Sequence, residues 1–549
     1  MNLTNSNLPP LFKFHWIKSI SLKCILLFWL AVLVSSIESV YSQIRPIHND
    51  QFWYTGSGAP IYSQGGGIFR FKDPENGKLK YYWYGVHYQQ ADRYLKDPSR
   101  TQRGSSFQSV TCYSSDNLVD WKFEGDVLTK QALSRERLTW VGRLGVAYIK
   151  ELSKYAMFVQ HGRYVLITVA DQPNGPFKWY RQINMQPLIG TTNTGDQTVF
   201  TDDQTGKSYL IYSYGRGRNR IYVSEIGVKD GKIGLLDCTE VYHGAGREGN
   251  CMFKYKGKYY MCASNLYGWD GSYAYYLVAD NIRGPYKPTN NMRIMSGAES
   301  DYAHVSQTGF FVTIYGSIQQ TVVYCGDRWA DFAGNGLGYN QWCPLSFYDD
   351  QPEFNSLNSW QLDAGTGLWK VAGDNNYIKN GSFEADRRKI PSPVKPVQQQ
   401  LLGWSSKVIK GSPIKIGDKN SPELNHFNDS IERKTVIGEK SLNISDQVPF
   451  ERKVSQVIKS TRDVPLKDGS YELSAKVKAG GAFRKLTMYV TVNGKTRAVS
   501  IYRPDSTWHT YHVPEIKVDS GQVEVGFYAD GAANGWCLVD DVALVRTDK

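Results

Sequence analysis

The chain has 549 residues, 64 of them Lys or Arg and 52 Asp or Glu, for a formal charge of +12. That length allows two or three domains with full cores. The basic excess lies toward the C-terminal end, with 27 basic against 20 acidic residues in 376–549; without a recognition-helix pattern it argues against nucleic acid and fits solubility or an acidic polymer surface.

Lys13, Lys18 and Lys23 precede the apolar run Cys24 to Val34, and Val40-Tyr41-Ser42 offers short residues to a signal peptidase. Residues 1–42 therefore read as an export signal cleaved after Ser42, too short for a comfortable membrane span. The expectation is an exported protein, periplasmic or extracellular, with no stable membrane insertion. Seven cysteines follow the signal, an odd number spread through strand-like apolar runs. They read as buried thiols rather than a disulfide framework, and no CxxC pair or His/Cys cluster suggests zinc.

From residue 45 onward helical periodicity is nearly absent. Short aromatic and β-branched runs alternate with Gly, Asp, Asn and Pro turns, which is an all-β pattern. A Lys-Tyr-led strand recurs at Lys80, Lys154, Lys207-Ser208-Tyr209 and Lys258, with a weaker version at Phe310 to Tyr315. Val169-Ala170-Asp171 through Phe177 is echoed by Val278-Ala279-Asp280 through Tyr286. Repetition at this spacing, with four short strands per unit, predicts a five-bladed β-propeller over 45–372.

Within it, "GREGNCMFKYKGKYYMCASNLYGW" (Gly246 to Trp269) sets one acid, Glu248, between glycines at the mouth of a strand read over Met252 to Ala263. A carboxyl beside apolar and aromatic surface is held neutral, as a general acid must be, and nearby rings give a sugar a face to stack on. After Val371 aromatics thin out and Pro391 to Gln400 is rich in Pro and Gln. Residues 376–549 then read as a β-sandwich of jelly-roll type, opened by "NGSFE" (Asn380 to Glu384) and closed by "VDDVAL" (Val539 to Leu544).

Several motifs in order carry a family likeness: Gln64-Gly65-Gly66-Gly67, "YYWYG" (Tyr81 to Gly85), "VGRLGVAY" (Val141 to Tyr148), "GDQTVFTDD" (Gly195 to Asp203), "REGNCMFKY" (Arg247 to Tyr255), "HVSQTGFF" (His304 to Phe311) and the stretch Gly326 to Phe347. The segment 45–372 resembles glycoside hydrolase family 43, in its galactan 1,3-β-galactosidase-like branch. The resemblance implies an exo-acting, inverting glycosidase releasing galactose from β-1,3-galactan or arabinogalactan, with no catalytic cofactor. Glu248 matches the general acid and Asp196 the aspartate that tunes it. The family's first-blade aspartate is replaced by the Gln64 segment, so the resemblance implies Gln307 as the group that positions water. Inversion implies a base roughly 6.5–9.5 Å from the acid. Gln64, Trp83, His87, Arg143, Trp269, Trp329 and Trp342 are the expected sugar contacts. Where the branch often has a glutamate after Gly85, this chain has Val86-His87. The C-terminal segment resembles a carbohydrate-binding module, which implies a structural calcium between Glu384 and Asp541.

Plainer readings stand beside these. Glu248 could pair with Arg247 or Arg143, Asp196 could be a turn residue, Gln307 could satisfy backbone groups, and Trp83 could be blade packing. An α-L-arabinofuranosidase or β-xylosidase would use the same propeller. The missing first-blade aspartate also fits a catalytically silent glycan-binding protein.

Overall fold

The computed structural model describes residues 45–100, 106–136, 140–329, 338–385, 401–415 and 421–548; the export signal read at 1–42 and the Pro/Gln-rich stretch fall outside them. Residues 46–549 form one compact unit.

The alternation of aromatic and β-branched residues yields five consecutive antiparallel sheets. Their leading strands are β1 (Gln64–Lys72), β2 (Leu144–Ile149), β3 (Thr194–Thr201), β4 (Glu248–Tyr255) and β5 (Gln307–Tyr315). Each leading strand contacts the next, and β5 contacts β1. A three-stranded sheet then pairs Ile47–His48 with Ser359–Leu362, and that strand with Trp369–Val371, joining the two ends of this body. The arrangement is all-β and consistent with a propeller followed by a sandwich.

The single strand read over Met252 to Ala263 is in fact a hairpin. Tyr255 pairs with Lys258, and the two residues between them, Lys256 and Gly257, have φ of 45° and 81°. Two left-handed residues make the tight turn that matches strand twist. Asp202 and Asp203, which close the motif begun at Gly195, fall in the turn between β3 and Ser208–Tyr214.

Trp83 and Trp342, expected to contact sugar, lie instead in the core. Trp83 is 0% and Trp342 1% exposed, with ring centroids 5.0 Å apart, and Trp53, Trp121 and Trp360 complete the same cluster. In the second strand of the first sheet, Tyr82, Trp83 and Tyr84 are all buried. Both faces of that sheet are covered, so alternation does not deliver a side chain to solvent. The seven cysteines are free thiols, six of them buried, in line with the sequence reading.

The C-terminal part comprises two five-stranded sheets. One contains Phe450–Lys459, Phe483–Val492 and Gln522–Gly531; the other contains Gly469–Gly480, His509–Val518 and Trp536–Arg546. Their inward residues, among them Leu473, Met488, Phe527 and Leu544, form a separate apolar core.

Candidate active site

Four of the five leading strands begin with a register irregularity: between Gln64 and Gly67, Thr194 and Gln197, Glu248 and Cys251, and Thr308 and Phe310. A bulge bends the strand and re-aims the side chains beside it. At Gly249 the backbone has φ of 61°, and a Cβ would lie 2.2 Å from the carbonyl oxygen of Thr308. Only glycine fits there, and its N–H donates to Asp196 Oδ2 at 2.8 Å. Glycine next to the acid is therefore what lets β4 approach β3 and β5.

The last three of these strand starts line a pocket of about 270 Å³ that brings together Glu248, Asp196, Gln307, Arg143, Trp269 and Trp329. Arg143 organises its floor. Nε donates to Asp196 Oδ2 (3.1 Å), Nη1 to Asp327 Oδ2 (2.8 Å), and Nη2 to Gln307 Oε1 (2.7 Å) and the Thr308 carbonyl (3.3 Å). Its rigid fork is thus committed to protein acceptors, and its role differs from the sugar clamp that was expected.

The donors around Gln307 fix its orientation. Arg143 and the Trp329 indole can only donate, so Oε1 faces both, the indole at 2.8 Å. Nε2 then donates to Glu248 Oε1 at 2.8 Å. Acid and glutamine are in contact, rather than separated by the gap expected between acid and base. The second Glu248 oxygen receives Arg218 Nη1, and Arg218 Nη2 stands 3.8 Å from Asp196 Oδ1.

The two acids differ in protonation. Burial, and next the negative charge of Asp196, push the Glu248 carboxyl up to about 7 against the pull of Arg218. Burial also acts to raise Asp196, but Arg218, Arg143 and the Gly249 N–H outweigh it and hold that carboxyl below the usual range. One acid is ionised and its neighbour carries a proton near neutrality, which is the division acid catalysis needs.

Trp269 and Trp329 meet edge to face, with centroids 5.0 Å apart. Trp269 is half-buried and open to the pocket, whereas Trp329 is largely committed to Gln307. His87 does not line the pocket: it is buried and stacked on Tyr62 at 4.2 Å, with Nε2 3.8 Å from Asp92. It cannot stand in for the missing carboxylate, because the sheet buries Val86 and turns the next residue onto Tyr62. Gln64 lies in the first bulge, buried and outside the lining, with Oε1 lacking a partner.

Sequence reasoning missed Arg218, Asp327, Trp140 and Gln160. Arg218 has φ of 52° and follows Gly217 at 81°, so a Gly-Arg-Gly-Arg turn swings its side chain into the pocket. Asp327 sits directly opposite Gln307 in the ladder; its signal was an acid directly after the apolar run Val322 to Gly326. Gln160 supports Arg143 by accepting its backbone N–H at 3.0 Å.

As drawn from the sequence, the calcium pair does not fit a cation. Asp541 Oδ2 is 2.9 Å from Lys476 Nζ, Oδ1 accepts the Ile437 N–H, and Glu384 accepts the Lys440 N–H. Among the described residues no three His, Cys, Asp or Glu side chains cluster as ligands.

Residues 84–336 match the family model of glycosyl hydrolases family 43. Among solved structures, exo-beta-1,3-galactanase from Phanerochaete chrysosporium with beta-1,3-galactotriose is 20% identical with a TM-score of 0.51, covering 91% of this chain and 100% of that one. An exo-beta-1,3-galactanase from Clostridium thermocellum is 18% identical at TM-score 0.52, with coverage of 91% and 100%. These likenesses show a shared fold. No curated protein sequence matches.

Proposed function

From the match of residues 84–336 to glycosyl hydrolases family 43, we propose an exo-acting, inverting glycosidase that releases galactose from β-1,3-galactan or arabinogalactan. The observation that carries the reading is the divided pair: Glu248 protonated near neutrality, beside an ionised Asp196. A catalytically silent binder has no use for such a division. The choice of galactose follows the names of the two similar structures.

In this reading Glu248 gives its proton to the glycosidic oxygen as the C1–O bond breaks. Asp196 keeps that proton on Glu248 until then. Water attacks C1 from the opposite face, its oxygen bonding to C1 and its surplus proton passing to solvent. An amide is a poor base, so Gln307 positions and polarises the water. Sugar entry exchanges the Gln307–Glu248 contact for contacts to substrate and water. Trp269 supplies the stacking face. A pocket of about 270 Å³ suits one sugar unit at a chain end.

The same proposal covers the finer architecture: five blades over 45–372, a jelly-roll sandwich over 376–549, export, a glycan partner and no nucleic acid. Among the described residues no helix is long and apolar enough to cross a membrane.

Sugar release with product identification, from β-1,3-galactan, type II arabinogalactan and nitrophenyl glycosides, tests the reading. Galactose is the expected product. Arabinose or xylose would move the specificity, and no release with retained binding would replace the enzyme by a binder.

A further inference from the structure

Gln307 is reached through a turn that L-residues seldom adopt. Tyr302, Ala303, His304 and Val305 have φ of 52°, 50°, 57° and 53°. Each such residue brings Cβ too close to the following carbonyl oxygen. None of the four is Gly or Asn, so the surroundings must impose the conformation.

They do so from two sides. On the inner side Asp301 Oδ1 accepts the His304 N–H at 3.0 Å, and Ser306 Oγ donates to the Ala303 carbonyl at 2.7 Å. The imidazole bridges two carboxylates. Nε2 is 3.0 Å from Asp50 Oδ2, and Nδ1 is 2.8 Å from Ser356 Oγ. Ser356 has one proton and donates it to Asp301 Oδ2, so it must accept from Nδ1–H. Asp50 accepts from Nε2–H, and the ring is therefore an imidazolium. Arg328 Nη1 (3.1 Å), Gln341 Nε2 (2.8 Å) and Asn358 Nδ2 (3.0 Å) fix Asp50 in turn.

On the outer side the C-terminal part closes over the turn. Tyr302 and Val305 pack with Tyr267 against Ala385 and Leu402. Gly403 (φ 77°) approaches so closely that a Cβ would lie 2.9 Å from the Ser300 carbonyl. Asp541 faces the same cavity of about 140 Å³ as Asp50 and His304.

We propose that His304 and Asp50 are positioning residues for Gln307, and that the C-terminal part belongs to the catalytic apparatus because it clamps the left-handed turn that delivers Gln307 to Glu248. This rests on Gln307 being the water-positioning group. Ser306 follows the turn directly and Gln307 starts β5, so a small relaxation of the turn displaces an amide held by Arg143 and Trp329 and, before sugar enters, in contact with Glu248. Misplacement of this size acts on turnover more than on binding.

The test is steady-state kinetics of the full chain on nitrophenyl β-D-galactoside for His304→Ala, Asp50→Asn, Gly403→Ala and Gln307→Ala, and for the first two combined with Gln307→Ala. The single variants at 304 and 50 should lower kcat by about tenfold with KM within about twofold, and Gly403→Ala should lower kcat in the same sense. On the Gln307→Ala background they should add less than about twofold, because the group they position is gone. Wild-type kcat in Asp50→Asn and Gly403→Ala, or undiminished losses on the Gln307→Ala background, would overturn the inference. Should His304→Ala fail to fold, the near-isosteric Asp50→Asn decides. If Gln307→Ala alone kept wild-type kcat, the water-positioning reading would fall, and this inference with it; a loss there combined with additive effects at 304 and 50 removes the inference alone.

Discussion

Two groups of buried carboxyls in this molecule meet opposite fates. In the pocket, Asp196 and Glu248 share the guanidiniums of Arg143 and Arg218, and their proton affinities move apart. In the C-terminal part, Glu384, Asp540 and Asp541 are all pushed up, Glu384 to about 6, although Lys440 and Arg328 act to lower Glu384 and Lys476 to lower Asp541. Burial acts the same way in both places. The difference lies in the partners: Asp196 has two guanidiniums and the Gly249 N–H beside it, whereas Asp540 has the charges of Asp541 and Glu384 against it and only neutral donors in its favour.

The comparison can be broken most directly at Glu248. Glu248→Gln should reduce kcat by about 10³-fold while galactotriose binding, read by calorimetry, stays within a few-fold; near-normal turnover would remove Glu248 as the acid. Asp196→Asn should cost about 10²-fold and should also move the pH profile. In the wild type, kcat/KM should fall as pH rises through about 7, where Glu248 loses its proton. Without the Asp196 charge that proton is held less tightly, so the alkaline limb shifts to lower pH.

Arg218→Leu makes the pocket resemble the C-terminal group. Both Asp196 and Glu248 lose a cation that lowers them, so both limbs of the profile should move to higher pH, with a loss of about tenfold at neutrality. A profile that did not move would show that Arg218 does not set the division. The smallest effect is expected at Asp540. Its folded proton affinity is raised, so the wild type loses stability as pH rises through the folded value. Asp540→Asn lacks that loss and should show a higher Tm than the wild type toward alkaline pH, with activity unchanged.

Much of this was legible in the sequence, for physical reasons that differ by residue. Glu248, Asp196 and Gln307 stand in short motifs with Gly or small neighbours at the mouths of apolar strands, and that local pattern marks where backbone and site must approach closely. Trp269 follows a glycine and proves to be open. Trp83, Trp342 and His87 were misplaced because periodicity reports alternation without saying whether a face is covered, and in these sheets both faces are. Arg218 carries no distinguishing local signal; only the packing of neighbouring sheets brings it to Glu248. The contact between Gln307 and Glu248, and the left-handed turn before it, depend on chain segments hundreds of positions apart, such as Asp50 and His304.

The bulges at the strand starts also bear on how such a protein can change. Three of those strands are in effect two devices spliced together: a regular ladder that holds the architecture, and a short irregular tip that supplies the pocket. Beyond the irregularity the pairing continues undisturbed, as from Cys251 to Tyr255 against Lys258 to Cys262. Tips can therefore be rewritten one at a time without re-engineering the frame, and a lineage built this way can exchange one sugar preference for another while inheriting the same scaffold.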